Sequence, residues 1–295
     1  MLIHGFTRYG GPEVAGLLDV PDAELPGDST TAVLVEMLAT TVNPADIKVR
    51  QGGRIGKVEV AFPMAMGREA AGRVLAASSG TGFEVGDRGV GGTLAGTGSY
   101  AERVLLDATQ TTRVPDGVSP EQAACVPVAL GTAWDGLHEL RDAGLPDGGT
   151  VVVPGAGGGV GHAAVQLGRH LGLQVVGVAS ESKRELVTEL GATFVASGEG
   201  WVDRVADADA ILDTVGPPVL EEVTARFAEA PVRSTAGGPP VTRRRSGPVF
   251  AEILTLIAAG HVRPHISAVH HLSDAAAAVT TVEDGHTAGK VVIVT

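Results

Sequence analysis

Val151-Val152-Val153-Pro154-Gly155-Ala156-Gly157-Gly158-Gly159-Val160-Gly161 decides how the rest of the chain is read. Three β-branched residues suit a buried parallel strand. The glycines after them let the backbone turn sharply and leave no side chain in the way of a ligand. Val160, Ala163, Ala164, Leu167 and Leu171 then recur at helical spacing along one apolar face. Strand, glycine loop and helix together present backbone N–H groups and a helix N-terminus to a phosphate. Ala156-x-Gly158-x-x-Gly161 follows the dinucleotide fingerprint with Ala in place of its first Gly. A second apolar run, Gln174 to Ala179, comes after a short gap, so the stretch reads as βαβ. The other reading is a packing turn without a ligand.

Beyond it the alternation continues. Residues 182–190 read as a helix closed by Gly191, and strands follow over residues 193–196, 210–215 and 232–235. Residues 250–259 form another helix, stopped by Gly260. Strands separated by helices imply a doubly wound parallel sheet. Upstream, Ser119-Pro120-Glu121-Gln122 is a helix start with Ser as N-cap and Pro at the first helical position. The helical stretch after it is interrupted near Pro127 and Gly131. Residues 1–118 differ: short apolar runs over 31–38, 70–77 and 100–106 alternate with turn signals such as Gly10-Gly11-Pro12 and Pro26-Gly27-Asp28. That pattern suggests an antiparallel barrel or sandwich. The tail carries an Ala-rich helix over 274–282 and a terminal apolar strand at Gly289-Lys290-Val291-Val292-Ile293-Val294.

A length of 295 residues suggests about two domains. Hydrophobic residues make up 44% and aromatics only 3%, so Val, Leu, Ala and Ile must fill the cores. Mean hydropathy is +0.20. The net charge of −12 argues against nucleic acid or an anionic membrane as partner. The basic run Arg243-Arg244-Arg245 reads as a solvated loop. The single cysteine, Cys125, excludes an internal disulfide, argues against a cysteine-built zinc site and fits a reducing cytoplasm. Its Ala, Val and Pro neighbours make it a core residue rather than a nucleophile. The first residues lack the apolar region of a signal peptide, and no apolar run is long enough to span a bilayer.

Several segments, in this order along the chain, resemble the medium-chain dehydrogenase/reductase superfamily and its zinc-free quinone oxidoreductase branch. They are Tyr9-Gly10-Gly11-Pro12-Glu13, Val42-Asn43-Pro44-Ala45-Asp46-Ile47-Lys48, Gly67-Arg68-Glu69-Ala70-Ala71-Gly72, Val85-Gly86-Asp87-Arg88, Ala123-Ala124-Cys125-Val126-Pro127, the glycine loop, Leu190-Gly191-Ala192 and Gly289-Lys290. The resemblance implies an α/β protein: a GroES-like β-barrel catalytic domain over residues 1–118, completed by 265–295, and a Rossmann domain over 119–264. Zinc-dependent relatives carry Gly-His-Glu where this chain has Gly67-Arg68-Glu69, and a catalytic cysteine where it leads into Asn43. The usual metal ligands are therefore missing, and His261, His265, His270 and His271 read as polar surface. Tyrosines that many relatives carry are replaced by residues of Ala196-Ser197-Gly198 and by Lys48, and the stretch 231–248 looks shorter.

The resemblance also implies site residues. Asn43 would donate to a carbonyl or quinone oxygen, Asp46 would hold local geometry or a water, and Lys48 would supply positive charge near a developing oxyanion. Asn43-Pro44 also reads as an ordinary turn, and Lys48 as a solvent-facing strand residue. Thr132 and Val215 join Ala156, Gly158, Gly159, Val160 and Gly161 on the cofactor side. The cofactor is expected to be NADPH. The second strand ends Val178-Ala179-Ser180 with no acid at its tip, and Ser180, Lys183 and Arg184 offer a hydroxyl and cations to a 2′-phosphate. As plain solvated helix residues, Lys183 and Arg184 would leave Glu181 free to favour NAD. The expected function is zinc-independent reduction of a quinone or an α,β-unsaturated carbonyl compound by a cytoplasmic homodimer. The alternatives are an enoyl reductase of a biosynthetic pathway and a catalytically silent NADPH-binding sensor or scaffold.

Overall fold

The computed structural model describes residues 1–27, 29–285 and 287–295; Asp28 of the turn signal Pro26-Gly27-Asp28 and His286 lie outside the described residues. The chain divides into two compact units. The first begins with strands β1 (Leu2–Phe6), β2 (Ala15–Asp19) and β3 (Ala32–Thr41) and helix α1 (Pro44–Arg50). It continues through β4 (Met64–Ala65), β5 (Glu69–Ala77), β6 (Arg88–Thr93), β7 (Arg103–Arg113) and helix α2 (Pro120–Ala124). β3, β5, β6 and β7 pair in that order, all antiparallel, and β7 returns to β3, closing a barrel. β3 is buried along nearly its whole length, so in sequence its apolar residues run together on either side of exposed Glu36 rather than alternating with polar ones. β2, β1 and β4 form a separate small sheet.

The second unit spans 129–244 and 260–265. It contains α3 (Gly131–Asp142), β8 (Thr150–Pro154), α4 (Gly161–His170), β9 (Gln174–Ala179), α5 (Arg184–Glu189) and β10 (Thr193–Ala196), then β11 (Ala210–Asp213), α6 (Val219–Arg226) and β12 (Val232–Ser234). Its sheet is parallel throughout, in the order β10-β9-β8-β11-β12, with Val152 opposite Val176. Val152, Val178, Val195 and Ile211 pack beneath Trp201, Leu220 and Val223. This is the doubly wound arrangement that the strand–helix alternation predicts.

The chain then returns to the first unit with α7 (Gly247–Ala258), β13 (Ile266–His271), α8 (Ala275–Glu283) and β14 (Lys290–Val294). β14 pairs antiparallel with β3, placing Val292 opposite Thr41, and β13 runs parallel to β14.

Two findings differ from the sequence reading. The units part after Val128 rather than at 118, because α2 packs on β3 and β5. Helix α7 belongs to the barrel unit, although it follows the last parallel strand. Its first residue, Gly247, comes so close to β7 that a Cβ there would sit 2.7 Å from the Thr111 carbonyl oxygen. An amphipathic stripe shows that a helix is buried on one side, but not in which core.

Candidate functional site

In the barrel unit, Asn43-Pro44-Ala45-Asp46 is a helix start rather than an ordinary turn. Pro44 opens α1 with its φ already set, and the Asp46 carboxylate accepts the Asn43 backbone N–H at 2.9 Å. The Asn43 side chain turns inward. Its Nδ2 donates to Glu69 Oε1 (2.8 Å) and weakly to the Thr41 carbonyl (3.4 Å), and its Oδ1 accepts from Lys290 Nζ (2.7 Å). Glu69 is wholly buried. It also accepts from the Thr41 hydroxyl and the Val128 backbone N–H (2.7 Å), with Lys290 Nζ 3.8 Å away. Burial pushes the Glu69 pKa up; the Lys290 charge and the hydrogen bonds oppose that rise without cancelling it.

Asp46 bridges to a second set of groups. Its Oδ1 accepts from Arg68 Nε at 2.7 Å and its Oδ2 from the Tyr100 hydroxyl at 3.1 Å. Burial, and then the Asp46 charge, hold the Tyr100 phenol well above its usual pKa. Burial works against the charge on Arg68, but Asp46 outweighs it and raises the guanidinium pKa. Among the described residues only Nε of Arg68 is committed to a hydrogen bond, so its two terminal nitrogens remain available.

Asp46 and Arg68 line a cavity of about 200 Å³ whose other walls include Phe6, Met64, Met66 and Leu94. Asn43 is not among its lining residues, and both its amide hydrogens are engaged. The structure therefore brings Asn43 and Asp46 together but gives Asn43 the part of a scaffold. Lys48 is exposed on α1, two positions after buried Asp46. Residues i and i+2 point to different sides of a helix, so the two do not meet. Arg68 is the cation at this site. Arg68, Glu69, Tyr100 and Lys290 were not singled out as site residues. The first two lie in the Gly67-Arg68-Glu69 segment, where a buried charge so near an apolar strand was the available signal.

Burial pushes the Cys125 thiol up to about 12, which keeps it protonated and inert at neutral pH. Among the described residues there is no group of three or more His, Cys, Asp or Glu able to hold a metal.

The parallel unit carries the glycine loop. Gly155 sits at φ +79°, and the Gly155 and Ala156 N–H groups both donate to the Val178 carbonyl, at 2.9 and 3.0 Å. The sharp turn is made by Gly155, one residue before the expected position, and that frees 156 to be Ala. A Cβ on Gly161 would collide with the Gly155 carbonyl oxygen, so this glycine lets the helix close on the strand. A Cβ on Gly158 would meet only the Gly155 oxygen, at 3.3 Å, and otherwise open space. Gly159 and Val160 are half-buried in the turn that follows, with Val160 at the start of α4.

The two expected phosphate cations have different surroundings. Lys183 lays its stem on Gly157, where a Cβ would come 2.5 Å from Cδ, and burial lowers its pKa. Arg184 is held by Glu181 at 2.5 Å and stacks over Phe194 at 4.3 Å. Ser180 is exposed, its hydroxyl 3.0 Å from that of Ser182. Val215 is exposed and donates its N–H to Asp213 (3.0 Å), whose carboxylate also takes the Gly216 N–H and the Ser234 hydroxyl. Thr132 is 1% exposed and its hydroxyl has no hydrogen-bond partner among the described residues. It does not bond back to the preceding turn as an ordinary helical threonine would.

The open face of Gly158, the close approach at Gly161 and the orphaned Thr132 hydroxyl fit a dinucleotide. With the glycine loop and the barrel both in view, known proteins with these features can be compared. Residues 29–116 match the alcohol dehydrogenase GroES-like domain family, and residues 190–293 the zinc-binding dehydrogenase family. The chain belongs to the medium-chain dehydrogenase/reductase superfamily.

Within that superfamily the chain is 28% identical to 2-methylene-furan-3-one reductase of Solanum lycopersicum, over 98% of this chain and 77% of that protein. It is 40% identical over 158 residues to polyketide synthase GfsB of Streptomyces halstedii, a match covering 52% of this chain but only 3% of that much longer protein. The structure of a mycobacterial protein complexed with NADPH superposes with a TM-score of 0.84, at 26% identity and full coverage of both chains. Zinc, which one matching family is named for, does not suit the residues here. Arg68 and Lys290 bring positive charge to the polar cluster, and the oxygen of Asn43 is taken by Lys290.

Proposed function

We propose that this medium-chain dehydrogenase/reductase is a zinc-independent, NADPH-dependent reductase of a small electrophilic carbonyl compound, a quinone or an α,β-unsaturated ketone. The observation that carries the reading is Arg68. Its charge is fixed by Asp46, its terminal nitrogens have no partner among the described residues, and it borders a cavity whose walls mix apolar side chains such as Phe6 and Met64 with polar ones. Bound NADPH would supply the hydride. As hydride reaches the substrate carbon, negative charge builds on its oxygen, and Arg68 is the donor to meet it. Asp46 keeps the guanidinium in place, and Tyr100 keeps Asp46 in place. Glu69, Asn43 and Lys290 anchor the start of α1, so that Asp46 does not drift. The proton that completes the reduced product comes from water.

Ser180 and Lys183 support a preference for the phosphorylated cofactor, Lys183 because its stem already lies on the glycine loop. The relative from Solanum lycopersicum, whose name describes a methylene ketone, supports the enone among the two substrate classes.

NADPH oxidation followed at 340 nm with a panel of quinones and enones tests the reading. Turnover should occur without added metal, survive chelators, and fall about a hundredfold in Arg68→Met. A protein that binds NADPH and reduces no member of the panel would instead be the silent binding protein.

A further inference from the structure

The run Arg243-Arg244-Arg245 is not a uniformly solvated loop. Arg244 is held through its backbone N–H, which donates to Asp135 at 2.8 Å. Arg245 is half-buried and lines the same barrel-unit cavity as Arg68 and Asp46. It is the one non-glycine residue with positive φ among the described residues, at +43°. A side chain there strains the backbone, which persists only where the surroundings hold it.

The charges around the cavity do not balance. Asp46 is committed to Arg68, and no carboxylate among the described residues lies within ion-pair distance of Arg245. Burial, and then the nearby Arg68 charge, disfavour the Arg245 cation, and the more weakly felt Glu69 and Asp46 carboxylates offset only part of that. A guanidinium does not shed its proton at physiological pH, so the mismatch stays as an unmet positive charge. The exposed Lys57 and Glu59 on the lining offset each other. The inner wall is thus apolar surface with Thr93 and Thr97, one satisfied ion pair and one spare planar fork of donors, around a cavity of about 200 Å³ that limits the ligand to a small one.

We propose that Arg245 determines specificity by engaging a carboxylate on the substrate, so that the preferred electrophile is a small enone acid rather than a neutral enone. A guanidinium fork matches a carboxylate in two parallel hydrogen bonds, which a neutral ester cannot reproduce. The inference rests on the reductase reading for its reaction: hydride adds to the alkene carbon β to the ketone, a proton from water adds to the α carbon, and NADPH leaves as NADP⁺. The carboxylate takes no part in that exchange.

The test uses 7-oxooct-5-enoate and its methyl ester as substrates, with 7-oxooctanoate and its ester as non-reacting ligands. Wild type should favour the acid over the ester by about tenfold or more, both in kcat/KM and in calorimetric affinity. Arg245→Met should erase that preference while the ester's kcat/KM and the affinity for NADPH stay within about twofold. Arg245→Gly suits the left-handed backbone. It should lose the preference equally, with an unchanged circular dichroism spectrum and a melting temperature no lower than that of wild type, so that a folding defect is not the cause. Equal use of acid and ester by wild type, or a parallel loss for both in the variants, overturns the proposal and leaves the reductase reading intact. Arginine-dependent binding of 7-oxooctanoate without turnover of either enone or of any quinone overturns the reductase reading and leaves the carboxylate site standing.

Discussion

Replacing Lys290 by methionine removes a cation and keeps most of its bulk. Lys290 is 3% exposed, and its Nζ lies 2.7 Å from Asn43 Oδ1, 3.2 Å from the Val42 carbonyl and 3.8 Å from Glu69. At an effective dielectric of about 20, a pair of charges at that last separation attracts by about 4 kcal/mol. Breaking a buried pair by removing one partner costs about 3–5 kcal/mol, because the other charge is left stranded. Set against a typical total of about 5–15 kcal/mol, that is a large part of a domain's stability. The pH dependence gives the mechanism away. Glu69 already has a raised pKa, so its contribution is most favourable at low pH and is lost as pH rises through the folded value. Without Lys290 that pKa rises further, so the variant's deficit should be larger at pH 8 than at pH 5. Urea unfolding followed by circular dichroism at both pH values measures it, and Lys290→Met/Glu69→Gln should recover at least half of the loss at pH 8. A deficit below about 1 kcal/mol, or one that is the same at both pH values, would refute the idea that Glu69 is ionised and held by Lys290.

Other expectations follow from single features. Gly158→Val fills an open face of the loop and should raise the Kd for NADPH about tenfold or more, with a melting temperature near that of wild type; unchanged affinity would move the phosphate site elsewhere. Lys183→Ala should weaken NADPH about tenfold and NADH hardly at all in fluorescence titrations, and equal weakening of both would mean that Lys183 only supports the loop. His4 has its pKa lowered to about 4 by burial and then by the Arg50 charge. Its contribution is complete above pH 6.5 and is lost as pH falls towards 4, by about 3 kcal/mol. A wild-type-minus-His4→Gln difference that stays flat over that range would show the imidazole to be unperturbed.

The parallel sheet was legible because its signals are local. Strand β9 spans the residues read from sequence, and the helix start at Ser119 has its hydroxyl on the Gln122 N–H. Helix α1 was missed although Asn43, Pro44 and Asp46 are good residues for N-cap, first and third helical positions; a turn and a helix start look alike until the next apolar residues are counted. The barrel cluster was legible only in pieces. Lys290 and Asn43 touch across 247 positions, and no spacing rule joins residues so far apart. The Arg245 side chain was misread as solvated because a run of three cations looks like a surface whichever way its members point.

The two units are threaded differently, and this sets an order of events during folding. The parallel sheet draws its strands from one stretch of chain, so its pairings can form as soon as that stretch collapses. The barrel unit is discontinuous: β3 must wait for β14, which lies beyond the whole parallel unit in sequence. Pulse-labelled hydrogen exchange should therefore protect amides of β8 and β9 before those of β14, and simultaneous protection would count against this order. In the interval Glu69 has no counter-ion, so a nascent barrel can bury that carboxylate only as the neutral acid. The last strand to arrive is also the one that brings the cation opposing the penalty on a buried Glu69 charge.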